Sequence, residues 1–276
     1  MNAANAFVVG WPIAHSRSPL IHNFWLKRYG IAGDYRPEPV PPEGIEHFLS
    51  SLAARGYRGG NVTLPHKEVA HRACDVLTPV AKRLEAANTL WLEDSKLHGD
   101  NTDAFGFAAN LDDSVSDWRQ GRAALVLGAG GASRAVIHAL IETGYRRVNL
   151  LNRTVERAAA LAARFGDIVC PGGLDAVGAH IADADLVVNT TSAGLDGDDA
   201  VAVDWETART DAIVIDLVYV PLETPFLKAA AESGLRTVDG LGMLLHQAVP
   251  GFERWFGVRP KVDDELRDLV VADLAR

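Results

Sequence analysis

Cysteine is nearly absent from this chain: Cys74 and Cys170 are the only two in 276 residues. A disulfide framework is therefore excluded. No uninterrupted apolar run is long enough to span a bilayer. Positive charge is also in deficit. The net charge of −9 argues against nucleic acid or an anionic membrane surface as the main partner, although local cationic groups still allow an anionic ligand. Residues 1–7 lack the basic and apolar regions of a signal peptide, so a cytoplasmic location is expected. What is present is an ordinary globular composition, 48% hydrophobic and 23% charged, in a length that suits one large domain or two of usual size. Nine histidines invite a search for metal ligands. In HKEVAH at 66–71 the two histidines are five apart rather than four, so they do not share a helix face, and no metal site is expected.

No internal repeat or low-complexity tract interrupts the pattern. The first hundred residues alternate short strands and helices. Residues 7–10 read as a strand. Ser18 and Pro19 read as an N-cap with proline at the first helical position, opening a helix that runs to about Tyr29 and stops at Gly30. Strands are expected at 34–36 and 60–64, a helix at 81–86, and a hairpin of 89–92 with 96–98 about Asp94 and Ser95. A second unit begins near Asp103 with a linking helix at 104–111. The apolar run 123–127 suits a buried parallel strand. It leads into Gly128, Ala129, Gly130, Gly131 and Ala132. The next helix places Val136, Ala139, Leu140 and Thr143 at i, i+3, i+4 and i+7, with Gly144 as its stop. Further strands at 148–151, 186–189 and 212–217 predict a doubly wound parallel sheet. Finally, Leu241, Leu244, Leu245, Ala248, Phe252 and Trp255 form an apolar helical stripe, with a kink or break expected at Pro250 and Gly251. This helix is expected to return to the first domain, so that the chain crosses twice and leaves a cleft.

Two places carry chemistry on their own residues. In NVTLPHK at 61–67, Pro65 suits a first helical position, which puts Lys67 in the first helical turn. There the positive end of the macrodipole favours the neutral amine over the cation. Such a lysine can act as a general acid or base; an ordinary solvated lysine is the plain alternative. The strand, glycine turn and helix at 123–143 form a dinucleotide-binding pattern, in which glycines let the backbone approach a pyrophosphate at a helix N-terminus. Ser133 stands at the third glycine position and is small enough for close helix–strand packing. An acidic residue after the second strand would select the ribose hydroxyl of NAD. Asn152, Arg153 and Thr154 stand there instead. Arg153 can clamp the 2′-phosphate of NADP, with Thr154 and Arg157 in support, or can simply be a surface arginine at a helix start.

The polar segments taken together identify a family. GWPIAHSRSP at 10–19, NVTLPHK at 61–67, ANT at 87–89, GDNTD at 99–103, GAGGA at 128–132, NRT at 152–154 and GLGMLLHQ at 240–247 resemble shikimate dehydrogenase, in family order and over nearly the whole chain. DLVY at 216–219 and Thr224-Pro225 also fit. The resemblance implies an α/β protein of two domains. Residues 1–103 with 241–276 would bind substrate and carry catalysis, and 104–240 would form a Rossmann-like, doubly wound NADP-binding domain. It implies that Ser16 and Ser18 bind the substrate carboxylate. Thr63, Asn88, Asp103 and Gln247 bind ring hydroxyls, with Tyr219 near the substrate across the cleft. Gly128, Ala129, Gly130, Gly131, Ala132, Asn152, Arg153, Thr154 and Arg157 hold NADP, and Leu217 and Gly240 contact its nicotinamide end.

Lys67 and Asp103 are implied as the catalytic pair. Reduction of 3-dehydroshikimate needs a hydride from NADPH and a proton for the forming alkoxide, which a protonated Lys67 supplies. An ionised Asp103 nearby would favour the ammonium form, opposing the helix terminus and desolvation. The expected partner is the small-molecule substrate, without nucleic acid or membrane, and a homodimer is left open. Two rivals stand beside this reading: a quinate/shikimate or aminoshikimate dehydrogenase, and a non-catalytic NADP-binding sensor in which Lys67 and Asp103 are structural.

Overall fold

The hydrophobic patterning resolves into two six-stranded sheets, one mixed and one wholly parallel. They are seen in a computed structural model whose described residues are 4–191 and 201–275. The first three residues of the N-terminal stretch considered above lie outside the described residues. The chain divides into two compact units, Met1–Asp103 with Leu245–Arg276, and Ala104–Leu244. No helix among the described residues is long and apolar enough to cross a membrane.

The first unit contains β1 (Ala4–Gly10), α1 (Ser18–Arg28), β2 (Gly33–Pro39), α2 (Ile45–Ser50), β3 (Tyr57–Val62), α3 (Lys67–Ala73), β4 (Val76–Leu77), α4 (Pro79–Leu84), β5 (Thr89–Glu93) and β6 (Lys96–Asp100). The strands lie in the order β2-β1-β3-β5-β6-β4. β1 runs parallel to β2 and β3, while β5 runs antiparallel to β3 and β6. The expected hairpin turns at Asp94 and Ser95, whose φ values of 49° and 61° are those a two-residue connection needs to match strand twist. Phe7, Val9, Phe48, Leu52, Val62 and Leu90 form one buried cluster of this unit.

Three local expectations need correction. Ser18 is the first residue of α1 rather than its N-cap, because the Ile21 N–H already bonds to the Arg17 carbonyl, and the Ser18 side chain is buried. Pro65 is not a first helical residue. It lies in a turn closed by the His66 N–H on the Thr63 carbonyl, and the helix begins at Lys67. The last apolar stripe does not break at Pro250: α10 (Leu241–Phe256) continues through it. Tight packing of Trp255 over Gly251 accompanies that continuity, since a Cβ at Gly251 would lie 2.7 Å from the Trp255 ring.

The second unit is the doubly wound sheet. After α5 (Asp103–Ser114) come β7 (Ala123–Leu127), α6 (Gly131–Glu142), β8 (Arg147–Asn152), α7 (Val155–Ala162), β9 (Val169–Gly173), α8 (Val177–His180), β10 (Leu186–Asn189), β11 (Ile213–Asp216), α9 (Pro225–Glu232) and β12 (Arg236–Val238). The order is β12-β11-β10-β7-β8-β9, so the chain builds outward from β7 in one direction and then returns to build in the other. The strand ends beside β7 and β10 are thus the topological switch point, where such sheets bind ligands. Helices α10 and α11 (Asp264–Leu274) close the chain.

His22 lies fully buried in the first unit, with its ring stacked 4.1 Å from Tyr35 and near Trp25, Phe252 and Trp255. Among the described residues, neither ring nitrogen meets a partner at hydrogen-bonding geometry. Burial lowers its pKa to about 3, and the flanking Asn61 amide only partly opposes the fall. A depressed histidine pKa means that the folded state holds neutral imidazole while the unfolded chain takes up a proton below pH 6.5. Its stabilising contribution is therefore complete above pH 6.5 and is lost as pH falls toward 3. Between pH 6 and pH 4 the protein should lose up to about 1.4 kcal/mol per pH unit more than His22→Phe does. Urea unfolding of both proteins across that range measures the difference, and parallel curves would reject the assignment.

Candidate active site

A lysine–carboxylate pair lies at the junction of two helix starts in the first unit. The His66 ring donates from Nε2 to the Val40 carbonyl at 2.7 Å, and the Ala70 N–H bonds to the His66 carbonyl at 2.9 Å. Together they set the start of α3 at Lys67. Lys67 Nζ stands 2.6 Å from Asp103 Oδ2, with side chains 26% and 12% exposed. Partial burial of this kind limits screening by salt. Asp103 opens α5, and its own N–H donates to Asn101 Oδ1 at 3.1 Å.

Asn88 completes the group. Its Nδ2 donates to Asp103 Oδ1 at 2.7 Å, while its Oδ1 accepts from the Thr102 N–H at 2.8 Å and the Thr89 hydroxyl at 2.9 Å. The carboxylate thus receives a cationic donor on one oxygen and an amide donor on the other. An arrangement of this kind holds an ammonium group in a fixed direction at a partly exposed edge. It suits proton exchange with a ligand oxygen.

The other residues expected at this site are also in the first unit. Ser16 is half-buried, and its Oγ accepts from the Ser18 N–H at 3.3 Å. Thr63 follows β3, and a Cβ at Gly10 would lie 2.6 Å from its methyl group. Gly10 is thus the residue that lets Thr63 approach β1. Gln247 is half-buried on α10, and its carbonyl accepts from the Thr102 hydroxyl at 2.8 Å.

The second unit carries the glycine turn. Gly128 adopts φ 102°, and a Cβ there would lie 2.7 Å from Thr190 Oγ1, so both backbone shape and space require glycine. Among the described residues, a Cβ at Gly130 or Gly131 would meet no atom within 4 Å, and no side chain caps α6. The start of α6 thus presents open backbone, which fits a dinucleotide pyrophosphate. Ser133 is fully buried and donates to the Gly130 carbonyl at 2.6 Å, so it performs the close packing expected of a small residue there.

Asn152 ties this turn to the next loop. Its Oδ1 accepts from the Ala129 N–H at 3.2 Å and its Nδ2 donates to the Thr154 carbonyl at 2.9 Å. Arg153, Thr154 and Arg157 are exposed around the start of α7. Gly240 packs directly on the backbone of Asp216 and Leu217, leaving no room for a Cβ. Asp216 accepts from Asn189 Nδ2 at 3.1 Å, the Val218 N–H at 3.0 Å and the Thr224 hydroxyl at 2.7 Å. Burial raises its pKa, and these bonds oppose the rise. They anchor the loop that bears Leu217 and Tyr219.

Some participants had no assigned role at the level of sequence. Asn61 and Thr102 lie inside the NVTLPHK and GDNTD segments, and both are buried with side-chain bonds to the Asn88 group. Their position within chemistry-bearing motifs was a usable signal. Tyr35 had none, because it joins the group only through pairing of β2 with β1, which pairs with β3 on its other side.

Fold and site together define a class: a two-unit α/β protein with a Rossmann-like sheet in one unit and a lysine–carboxylate–asparagine group in the other. Three family models match the chain: the shikimate dehydrogenase substrate binding domain over residues 8–90, shikimate/quinate 5-dehydrogenase over 111–221, and the shikimate 5′-dehydrogenase C-terminal domain over 240–264. The chain is 58% identical over 269 residues to the shikimate dehydrogenase (NADP(+)) of Azorhizobium caulinodans, covering 97% of this chain and 96% of that protein. Among solved structures, shikimate 5-dehydrogenase from Thermus thermophilus, in complex with NADP(H) and shikimate, superposes with a TM-score of 0.86 at 38% identity, covering 98% and 99% of the two chains. Quinate dehydrogenase from Corynebacterium glutamicum, in complex with NAD, gives a TM-score of 0.90 at 28% identity over 98% and 99%. The chain belongs to the shikimate dehydrogenase family.

Proposed function

We propose that the protein is an NADP-dependent shikimate dehydrogenase, which reversibly reduces 3-dehydroshikimate to shikimate in the route to chorismate and the aromatic amino acids. The observation that carries this reading is the 2.6 Å Lys67–Asp103 pair held by Asn88, in a chain 58% identical to a named NADP-dependent relative. The first unit with its C-terminal helices binds substrate, and the second binds NADP.

NADPH supplies the hydride when bound. Lys67 gives the proton to the forming alkoxide and takes it back in the reverse direction, while Asp103 and Asn88 keep its ammonium group aimed. Ser16 and Ser18 take the carboxylate. Thr63, Asp103, Asn88 and Gln247 take ring hydroxyls, and Tyr219 also contacts the substrate. Gly128, Ala129, Gly130, Gly131 and Ala132 cradle the pyrophosphate, with Leu217 and Gly240 at the nicotinamide. The enzyme works in the cytoplasm, and a homodimer is compatible with this reading.

Exposed Arg153 at the end of β8, with Thr154 and Arg157 beside it, supports NADP over NAD. Arg153→Ala should raise the KM for NADPH about ten- to a hundredfold, the loss expected of charge-assisted hydrogen bonds, and leave NADH nearly unchanged. Equal losses for both nucleotides in steady-state assays would remove the 2′-phosphate clamp.

The direct test is initial-rate measurement with shikimate and quinate, each with NADP and NAD. Turnover confined to shikimate with NADP is the expected result. Comparable quinate turnover would move the assignment toward the quinate-active relatives, one of which is among the similar solved structures. Tight binding of NADPH and shikimate without turnover would instead indicate a sensor.

A further inference from the structure

The Lys67–Asp103 group is the end of a longer buried network within the first unit. Asn61, Asn88, Thr89 and Thr102 are each no more than 5% exposed, and Tyr35 is 1% exposed. Tyr35 Oη lies 2.6 Å from Asn61 Oδ1. Asn61 Nδ2 lies 3.1 Å from the Asn88 carbonyl and 3.2 Å from Thr89 Oγ1. Thr89 Oγ1 lies 2.9 Å from Asn88 Oδ1, and Asn88 Nδ2 lies 2.7 Å from Asp103 Oδ1.

The bond directions follow from atoms that have only one role and, at the two threonine hydroxyls, from the shorter contact. Backbone carbonyls only accept and backbone N–H groups only donate, so they fix the amide orientations. The Asn88 carbonyl fixes Asn61 with its amine toward β5 and its oxygen toward Tyr35. Tyr35 must therefore donate. The Thr102 N–H, 2.8 Å away, fixes Asn88 with its oxygen toward Thr102. The Asn88 amine must therefore face Asp103. The Thr102 hydroxyl gives its one proton to the Gln247 carbonyl at 2.8 Å, the shorter contact, rather than to Asn88 Oδ1 at 3.2 Å, and Thr89 gives its proton to Asn88 Oδ1 at 2.9 Å, nearer than Thr102 Oγ1 at 3.1 Å. Donors run in one direction, from Tyr35 to the carboxylate.

We propose that Tyr35 is a positioning residue: its hydroxyl opens a one-way hydrogen-bond relay through Asn61, Thr89 and Asn88 that orients the Asp103 carboxylate beside Lys67. The inference rests on the functional reading above, in which Lys67 and Asp103 are the acid–base pair. Ser18 flanks the same Tyr35 hydroxyl and helps hold down a pKa that burial pushes well above its ordinary 10. Tyr35 therefore stands between the serine proposed for the substrate carboxylate and Asn61, the second member of the relay.

Two isosteric variants test it, both made in the full chain. Tyr35→Phe removes the first donor, and Thr89→Val removes the link to Asn88. Each should lower kcat for shikimate oxidation about tenfold, the effect of about 1.4 kcal/mol in the transition state, with the KM for NADP within about twofold of the parent. The combined variant should be no slower than the slower single variant by more than about twofold, because one relay is cut once or twice. Independent packing defects would instead multiply. Multiplying effects, or kcat for Tyr35→Phe within about twofold of the parent, would overturn the relay. A parent protein without turnover would refute the functional reading itself, and the positioning role with it. Thermal melts of the three variants establish that the compared proteins are folded.

Discussion

Lys67→Ala should lower kcat for shikimate oxidation by about a thousandfold, within the range that a positioned acid or base contributes. The KM for shikimate should move much less, because the proton is exchanged at the transition state rather than in ground-state binding. The argument rests on what the substitution leaves intact. Asp103 keeps its bond from Asn88 Nδ2 at 2.7 Å and its backbone bond to Asn101, so the carboxylate remains in place. The ammonium is the only part of the group removed, and the alkoxide loses both its proton source and its nearest positive charge. Steady-state kinetics in both directions, with NADPH binding measured separately, distinguish this from general damage. Turnover within about tenfold of the parent would move proton transfer to another group.

Why Lys67 was visible from sequence and Tyr35 was not is a matter of range. Lys67, Asn88 and Asp103 lie in short segments whose polar residues cluster near element ends, and such clusters are local features, as are Gly30, Gly144 and the Asp94-Ser95 turn. The parallel sheet was legible for the same reason: the apolar run 123–127 and the glycine turn after it are local features. Helix starts were displaced by one or two residues where distant groups decide them. The His66 ring reaches the Val40 carbonyl, 26 positions away, and the first helical turn shifts to Lys67 with it. Ser18 points into the fold near Tyr35 rather than back to cap α1, a choice fixed by β2. At Pro250 the sequence signal for a break was outweighed by burial of Phe252 and Trp255 on the far side. The directions of hydrogen bonds around Asn88 follow from pairing of β5 with β3 and β6, which no local pattern encodes.

Gly59→Ala should be the most destabilising small change in the first unit, lowering stability by about 3–5 kcal/mol. About 1–3 kcal/mol comes from overpacking and the rest from a strained or broken buried hydrogen bond. Gly59 lies opposite Trp91 in the β3–β5 pairing. A Cβ there would overlap the Leu90 carbonyl and Trp255 Nε1 and would lie 2.8 Å from the Trp91 Cα. Those first two atoms are bonded to each other, Trp255 Nε1 donating to the Leu90 carbonyl at 2.8 Å. The added methyl must therefore push α10 away from β5 or break that bond, because the opposing atoms belong to backbone and to an indole that is 1% exposed. The melting temperature should fall by about 10 °C, at roughly 2–4 °C per kcal/mol for a chain of this size. Gly56→Ala is the control. Its φ of 75° strains any side chain, but no atom lies within 4 Å, so it should lose only about 1–2 kcal/mol. Equal losses at the two glycines would mean that backbone conformation, not the seating of Trp255, governs this strand. A larger loss at Gly59 should also reduce turnover in the folded fraction, because α10 carries the Gln247 carbonyl that receives the Thr102 hydroxyl and so helps fix the donors around Asn88.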